Sequence, residues 1–358
     1  MTSIVWRLRP GWFAAVMGTG IVANAAALLP VHARALDLLA TGVWAVAAAL
    51  LALLLAVAAA QLVAHPRSLA LHVDDPVAAP FAGAPPMALL TVAAGALLAG
   101  HRVIGHDAAV ALAAVLWTAG TLTGLAVAAL VPYLMFTRHD LRPEMTLATW
   151  LMPVAPPMVS AATGAALLSH VPEGQARLTL LVLCLAMLGA SLVASLVTIT
   201  LVWARMAYHP PAPAATVPTI WIVLGPLGQA VTAIGLLAGA APGAVGAPYA
   251  DALRAAPLLL GAPIWGFAML WLAVAVAVTV RAARRHLPFS LSWWSFTFPV
   301  GTCVTGTSEL ALRTGADALT WIAAALFAVL MCGWLLVAAR SVRAALPALR
   351  PPLAMMEA

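Results

Sequence analysis

The chain has 358 residues, of which 64% are hydrophobic and only 8% are charged. A soluble domain carries about 25% charged residues, so this composition excludes a soluble fold and predicts a protein embedded in lipid. The net charge of +6 reflects 17 basic residues, all of them arginines. They are scattered singly between apolar runs, which excludes a nucleic-acid-binding domain because such a domain clusters its basic residues on one face.

The charged residues divide the chain into ten apolar stretches that are long enough to cross about 30 Å of hydrocarbon. The loops between these stretches are short, so residues 1–340 are predicted to form one all-α polytopic membrane domain. Residues 341–358 are basic and then proline-rich, and are predicted to form a cytoplasmic C-terminal tail. In chain order, the predicted transmembrane helices cover residues 11–29, 38–63, 85–100, 108–134, 147–169, 178–204, 217–240, 255–280, 290–311 and 317–339.

The distribution of arginines predicts the orientation in the membrane, because cytoplasmic loops carry an excess of basic residues. If both termini lie on one side, that side holds 12 of the 17 arginines and the other side holds five. We therefore predict a multi-pass protein of the cell inner (plasma) membrane with both termini in the cytoplasm.

The odd-numbered stretches differ from the even-numbered ones. Each odd stretch contains glycine or proline at interior positions, whereas the even stretches are mostly uninterrupted runs of Ala, Leu and Val. A proline bends a helix and frees a backbone carbonyl, which is costly in lipid unless protein or water satisfies it. Glycine also serves simple close packing of helices, which explains any single position but not the alternation. We therefore predict five helical hairpins, with five interrupted helices around a central pore and five regular helices facing lipid.

The ninth stretch carries the pattern of a pore wall. In a helical projection at about 100° per residue, Ser295, Phe298, Thr302 and Thr305 fall on one narrow stripe. Hydroxyl groups can donate hydrogen bonds to an anion without a fixed charge, and an aromatic ring can close a narrow path. From the residues alone, however, a lone phenylalanine is more often a core residue than a gate.

The polar content of the spans restricts the function. No Asp, Glu, Lys or Arg lies deep within a predicted span, which argues against a proton relay or tight cation coordination. Asn24 and Gln229 could line the path or bridge helices, and bridging is the preferred interpretation. Glu309 lies at the outer end of the ninth stretch, on the same stripe as Phe298, and is interpreted as a solvated helix end; the alternative is an acid that tunes entry or senses pH. No nucleophile–base pair or group of metal ligands falls within the spans, so neither an enzyme, a cofactor nor a metal site is predicted.

Three segments resemble signature stretches of the tellurite-resistance/dicarboxylate transporter family. They are residues 10–26 (PGWFAAVMGTGIVANAA), 150–165 (WLMPVAPPMVSAATGA) and 289–302 (FSLSWWSFTFPVGT). That family includes bacterial tellurite-resistance proteins, the yeast malic acid permease, the fungal sulfite pump and the slow anion channels of plant guard cells. The resemblance implies ten helices in five hairpins around a central pore, a homotrimer, and a pore-blocking phenylalanine on the ninth helix. Phe298 best matches that phenylalanine, and Phe296 is the alternative.

Together these features predict transport of small anions through a gated central pore, with a C4-dicarboxylate such as malate slightly ahead of sulfite. The alternatives are a nonselective anion channel, a tellurite-resistance protein and, more remotely, an intramembrane enzyme or a scaffold. The expected partners are a small anion (dicarboxylate, sulfite or halide), the lipid bilayer and further copies of the chain in a homotrimer. The predicted gate is Phe298, and the predicted pore-lining residues are Ser295, Thr302, Thr305, Gly18, Gly20, Pro153, Pro157, Pro226 and Pro299.

Overall fold

A computed structural model describes residues 9–31, 33–65 and 75–345, and these residues form helices and connecting turns with no β-strand among them. The ten predicted helices are confirmed. Of the predicted tail, residues 341–358, the part beyond residue 345 lies outside the described residues. The helices are α1 (Phe13–Leu28), α2 (Arg34–Ala64), α3 (Ala84–Gly95), α4 (His106–Arg138), α5 (Pro156–Leu167), α6 (Gln175–Tyr208), α7 (Leu224–Ala240), α8 (Ala262–Ala283), α9 (Phe298–Thr314) and α10 (Asp317–Ala345).

Every odd-numbered helix is preceded by a short 3-10 segment, which explains why these stretches look interrupted in the sequence. Prolines such as Pro86, Pro156 and Pro299 lie in the first turn of their α-helix. A proline costs little there, because its missing N–H would have no partner within the helix. These prolines therefore begin helices rather than bend them. The 3-10 segments are Pro10–Trp12, Ala79–Gly83, Ala148–Leu151, Ala214–Val223 and Leu291–Phe296.

The odd-numbered helices form a closed inner ring in the order α1, α3, α5, α7 and α9, and each even-numbered helix packs on the odd-numbered helix before it. Burial separates the two groups. In the spans Pro10–Leu28, Ala79–Ile104 and Ala214–Gly243, 67% to 89% of the most apolar window is buried, against 17% to 33% in the five even-numbered spans. α9 is buried from Phe298 to Ala311. The predicted arrangement of five hairpins with the interrupted helices inside is confirmed.

The two kinds of helix differ in length, and the difference suits their positions. α2 and α6 have 31 and 34 residues, whereas α5 has 12 and α9 has 17. An α-helix rises about 1.5 Å per residue, so α5 alone crosses only part of a bilayer. Eight described spans are long and apolar enough to cross a membrane by themselves. The 3-10 segments that extend the odd-numbered helices are tolerated because they lie inside protein rather than in lipid.

Candidate functional site

Two cavities lie one after the other along the inner ring, and all five odd-numbered helices contribute to both. The first cavity, of about 40 Å³, is lined mainly by the starts of these helices, including Met17, Met87 and Ser295. The second cavity, of about 50 Å³, is lined mainly by their later turns, including Asn24 and Thr305. The inner ring of helices therefore encloses two successive cavities rather than a continuous packed core.

Phe298, Gln229 and Val159 line both cavities, so these three side chains lie at the junction. Phe298 is the first residue of α9 and is 5% exposed. The turn before it is fixed by two hydrogen bonds, from the Thr297 hydroxyl to the Trp294 carbonyl at 2.7 Å and from the Gly301 N–H to the Thr297 carbonyl at 2.9 Å. The aromatic ring is thus held where it separates one cavity from the other.

The structure brings four other predicted pore residues to these cavities. Ser295, Pro226 and Pro299 line the first cavity, and Thr305 lines the second. The Ser295 hydroxyl makes no hydrogen bond with any other residue that the structure describes. Its hydroxyl is therefore free to donate to a solute in the first cavity.

The other five predicted pore residues are absent from the described walls of both cavities. A Cβ atom on Gly18 would collide with the Thr297 hydroxyl, so Gly18 serves close packing of the chain segment before α9 against α1. A Cβ atom on Gly20 would lie 2.8 Å from the Thr91 methyl group, so Gly20 serves contact between α1 and α3. The remaining three residues are Pro153, Pro157 and Thr302.

Thr302 is turned toward the backbone of its own helix and of α7. Its hydroxyl donates to the Pro299 carbonyl at 2.7 Å and lies 3.3 Å from the Leu224 carbonyl. The sequence projection assumed one regular helix over 290–311, but the chain leaves helical geometry at Thr297, with φ −103° and ψ −74°. Ser295, which precedes Thr297, is therefore not on one regular helical stripe with the hydroxyls of α9.

A pair of valine substitutions distinguishes these two threonines. Because the Thr302 hydroxyl faces backbone, we expect Thr302→Val to leave anion flux in proteoliposomes near the wild-type value. Thr305 lines the second cavity, and its hydroxyl lies 2.7 Å from the Thr232 hydroxyl, so we expect Thr305→Val to break this pair and make the cavity wall less polar. Flux should fall about fivefold, on the scale of one hydrogen bond of about 1 kcal/mol. Equal flux through the two variants would contradict the assignment.

Most hydroxyl groups of the second cavity already have partners. The Thr232 and Thr305 hydroxyls are 2.7 Å apart, the Thr91 hydroxyl donates to the Met87 carbonyl at 2.7 Å, and the Thr163 hydroxyl lies 3.4 Å from the Leu90 carbonyl. Side-chain hydroxyls in helices often bond to the preceding turn in this way. The cavity wall is therefore polar but has few free donors.

Gln229 provides a free hydrogen-bond donor, which the threonine hydroxyls of the second cavity do not. Its side chain is 6% exposed, lines both cavities and makes no hydrogen bond within the described part of the chain. An amide carries two N–H donors, so this group can bind an anion without a fixed charge. The preferred sequence interpretation, that Gln229 bridges helices, is wrong, whereas Asn24 does bridge helices through a 3.2 Å bond to the Thr91 carbonyl.

Glu309 is not a solvated helix end, which corrects its sequence interpretation. The residue is 3% exposed, and its carboxylate lies 3.3 Å from the Arg313 guanidinium. Gly235 and Gly239 on α7 make room for this pair, because Cβ atoms there would collide with the side chains of Glu309 and Arg313. The opposite charges of Glu309 and Arg313 compensate each other between α7 and α9.

Comparison with known proteins agrees with this architecture. The family model of the SLAC1 voltage-dependent anion channels matches residues 7–342. A sulfite efflux pump SSU1 of Trichophyton rubrum is 27% identical over 93% of this chain and 89% of its own length. A sulfite efflux pump SSU1 of Arthroderma otae is 28% identical over 84% of this chain and 81% of its own. An uncharacterized transporter of Methanocaldococcus jannaschii is 23% identical over 96% of both chains.

These matches cover nearly the whole chain and confirm the resemblance that three sequence segments indicate. They also confirm that the protein is a transporter or channel rather than an enzyme. The chain belongs to the SLAC1 voltage-dependent anion channel family of multi-pass anion-transport proteins.

Proposed function

We propose that the protein moves small anions, sulfite first among them, along the two cavities, and that Phe298 closes this path at rest. The observation that carries the proposal is the junction, where Phe298 and Gln229 line both cavities inside a closed ring of helices. The names of the fungal relatives, sulfite efflux pumps, support sulfite over the C4-dicarboxylate that the sequence places slightly ahead.

The chemistry of the cavity walls also favours a small anion. Within the described residues, neither cavity is lined by an Asp, Glu, Arg or His side chain. A C4-dicarboxylate carries two separated carboxylates, which proteins commonly hold with bidentate arginines. A compact anion such as sulfite needs only a few neutral donors at one point, which Gln229 and Ser295 supply.

The same neutral walls support a second candidate, a nonselective anion channel. Neutral donors bind anions weakly and release them quickly, and this suits conduction of halides as well as sulfite. Gradient-driven efflux of one anion and passive flow of many anions differ in selectivity, which a flux assay can measure directly.

The orientation and assembly are part of the proposal. We infer that the starts of the odd-numbered helices face the cytoplasm, because that side holds nine of the arginines in the described ranges: Arg9, Arg138, Arg142, Arg205, Arg281, Arg284, Arg285, Arg340 and Arg343. The opposite side holds Arg34, Arg102, Arg177, Arg254 and Arg313. Three copies of this unit would form the homotrimer that the sequence resemblance implies.

The test is anion flux from liposomes that contain the purified protein. Vesicles loaded with sulfite, malate or chloride are compared, with and without a pH gradient. We expect sulfite to leave faster than malate. Malate flux equal to or above sulfite flux would contradict the choice of sulfite, and chloride flux equal to sulfite flux would identify the nonselective channel instead.

Gln229 gives a second prediction in the same assay. We expect Gln229→Leu to lower sulfite flux about tenfold, because a hydrogen bond to a charged solute contributes about 1.5 kcal/mol or more. Gln229→Glu should lower flux further, since its carboxylate would repel anions at the junction. Thr302→Val is the control, because the Thr302 side chain lines neither cavity and its hydroxyl faces backbone. Unchanged flux in both Gln229 variants would remove this side chain from the path.

A further inference from the structure

A third cavity lies outside the inner ring, between the ends of α6 and α8 and the 3-10 segment before α7. Its volume is about 380 Å³, and it shares no lining residue with the first or second cavity. We call it the basic cleft. Its walls include the apolar side chains Val202, Met206, Ile220 and Val278. A cleft separate from the central path calls for a ligand other than the transported anion.

The polar part of the basic cleft is cationic. Arg205, Arg281, Arg285 and His209 line it, and no Asp or Glu is among its lining residues in the described part of the chain. The Arg205 Nε atom donates to the Glu144 backbone carbonyl at 3.4 Å. The Glu144 carboxylate lies 3.9 Å from His209. This carboxylate therefore lies beside the histidine rather than against an arginine.

Arg281 and Arg285 have no carboxylate or other side-chain partner among the residues that the structure describes. Both side chains are exposed at the end of α8. Arg281 lies in the last turn of α8 and Arg285 in the turn that follows, and both line the cleft. Two unpaired guanidinium groups directed to one cleft can bind a phosphate through bidentate hydrogen bonds.

The basic cleft lies between the ends of two of the outer helices, α6 and α8, and exposed apolar side chains flank it. Trp203 on α6 and Val280 on α8, each next in sequence to a cleft residue, are 49% and 45% exposed. These ends are also where the two helices leave the apolar layer, since Arg205 lies in the last turn of α6 and Arg281 in the last turn of α8. A ligand there meets lipid along one side and water along the other.

We propose that the basic cleft binds an anionic glycerophospholipid. Arg281 and Arg285 bind the phosphate of its headgroup, and Arg205 adds positive charge at the rim. An acyl chain lies along Val202 and Val278. Basic pockets between transmembrane helices are suited to such lipids, because charge attraction and apolar contact act together. The bound lipid also braces the 3-10 segment Ala214–Val223, which leads into α7 and the junction.

The test is native mass spectrometry of the purified protein in detergent with added dioleoyl phosphatidylglycerol or dioleoyl phosphatidylcholine. We expect tighter binding of phosphatidylglycerol to the wild type, a comparison that needs no variant. Arg281→Gln with Arg285→Gln should weaken it about tenfold, as expected for loss of charge-assisted hydrogen bonds. Arg284→Gln is the matched control, since Arg284 is the neighbour of Arg285 and lines no part of the cleft. It should bind phosphatidylglycerol like the wild type.

Other results would overturn the proposal. Equal binding of the two lipids by the wild type, or equal loss in Arg284→Gln and in the double variant with Arg281→Gln and Arg285→Gln, would show that the cleft does not select the headgroup. Displacement of phosphatidylglycerol by millimolar glycerol 3-phosphate would identify a site for free phosphate esters. A change in the number of copies, with lipid binding kept, would identify the cleft as a contact between copies of the chain.

Discussion

Phe298→Ala is expected to raise anion flux about tenfold or more, because it removes the ring that separates the two cavities. The side chain lies at the start of α9 and is held by the turn at Thr297 rather than by a flexible loop. Its loss should therefore merge the cavities without rearranging the ring of helices. The measurement is current across a planar bilayer, or efflux of sulfite from proteoliposomes. Phe298→Leu should give an intermediate increase.

Phe296→Ala is the matched control for this substitution. Phe296 is the other phenylalanine that the sequence offered as a gate, but it packs edge-on against Trp221 and Trp293, with ring centroids 5.2 Å and 5.7 Å away. It lines neither central cavity. We expect Phe296→Ala to leave the path closed. A rise in flux in Phe296→Ala but not in Phe298→Ala would move the gate by two residues and contradict the proposal.

Gly228→Ala is expected to destabilise the protein strongly. A Cβ atom on Gly228 would lie 2.5 Å from the carbonyl carbon of Thr302 and 2.6 Å from the nitrogen of Cys303. Both atoms belong to the backbone of α9, so no side chain can turn aside, and the two helices must separate. Such overpacking costs about 3 kcal/mol. The measurement is the thermal midpoint of the detergent-purified protein, together with the yield of folded material.

Gly189→Ala and Gly266→Ala are the controls, since a Cβ atom on either glycine meets nothing within 4 Å. Both positions are on even-numbered helices, and alanine has the higher helix propensity by about 1 kcal/mol. These variants should melt at or slightly above the wild-type temperature. A Gly228→Ala variant that melts with them would show that α7 and α9 are not packed backbone to backbone.

The fold could be predicted from the sequence because two independent patterns agree. The positions of the charged residues delimit the spans, so the predicted helix at 38–63 appears as Arg34–Ala64 and that at 178–204 as Gln175–Tyr208. The alternation of interrupted and regular stretches separates inner from outer helices, because irregular backbone must be inside protein. Neither pattern needs knowledge of side-chain contacts.

The site could be predicted only in part, because it depends on which hydroxyl and amide groups already have partners. A helical projection placed Thr302 on the path because it cannot show that this hydroxyl donates to the Pro299 carbonyl and lies against the backbone of α7. Gln229 as a single polar residue within a span is equally consistent with bridging and with lining. The burial of Glu309 did have a sequence pattern, since Gly235 and Gly239 are spaced as small residues that allow close approach of helices.

The central claim is that anions pass through the cavities inside the ring, and cysteine modification tests it most directly. In the Phe298→Ala background, Ser295→Cys places a thiol in the first cavity and Thr305→Cys places one in the second. A negatively charged methanethiosulfonate reagent should block the current of both variants irreversibly. The background protein also carries Cys332→Ser, because Cys332 is exposed whereas Cys184 and Cys303 are buried, and it should keep its current. Undiminished current after complete modification of both introduced thiols, verified by mass spectrometry, would show that anions take another route.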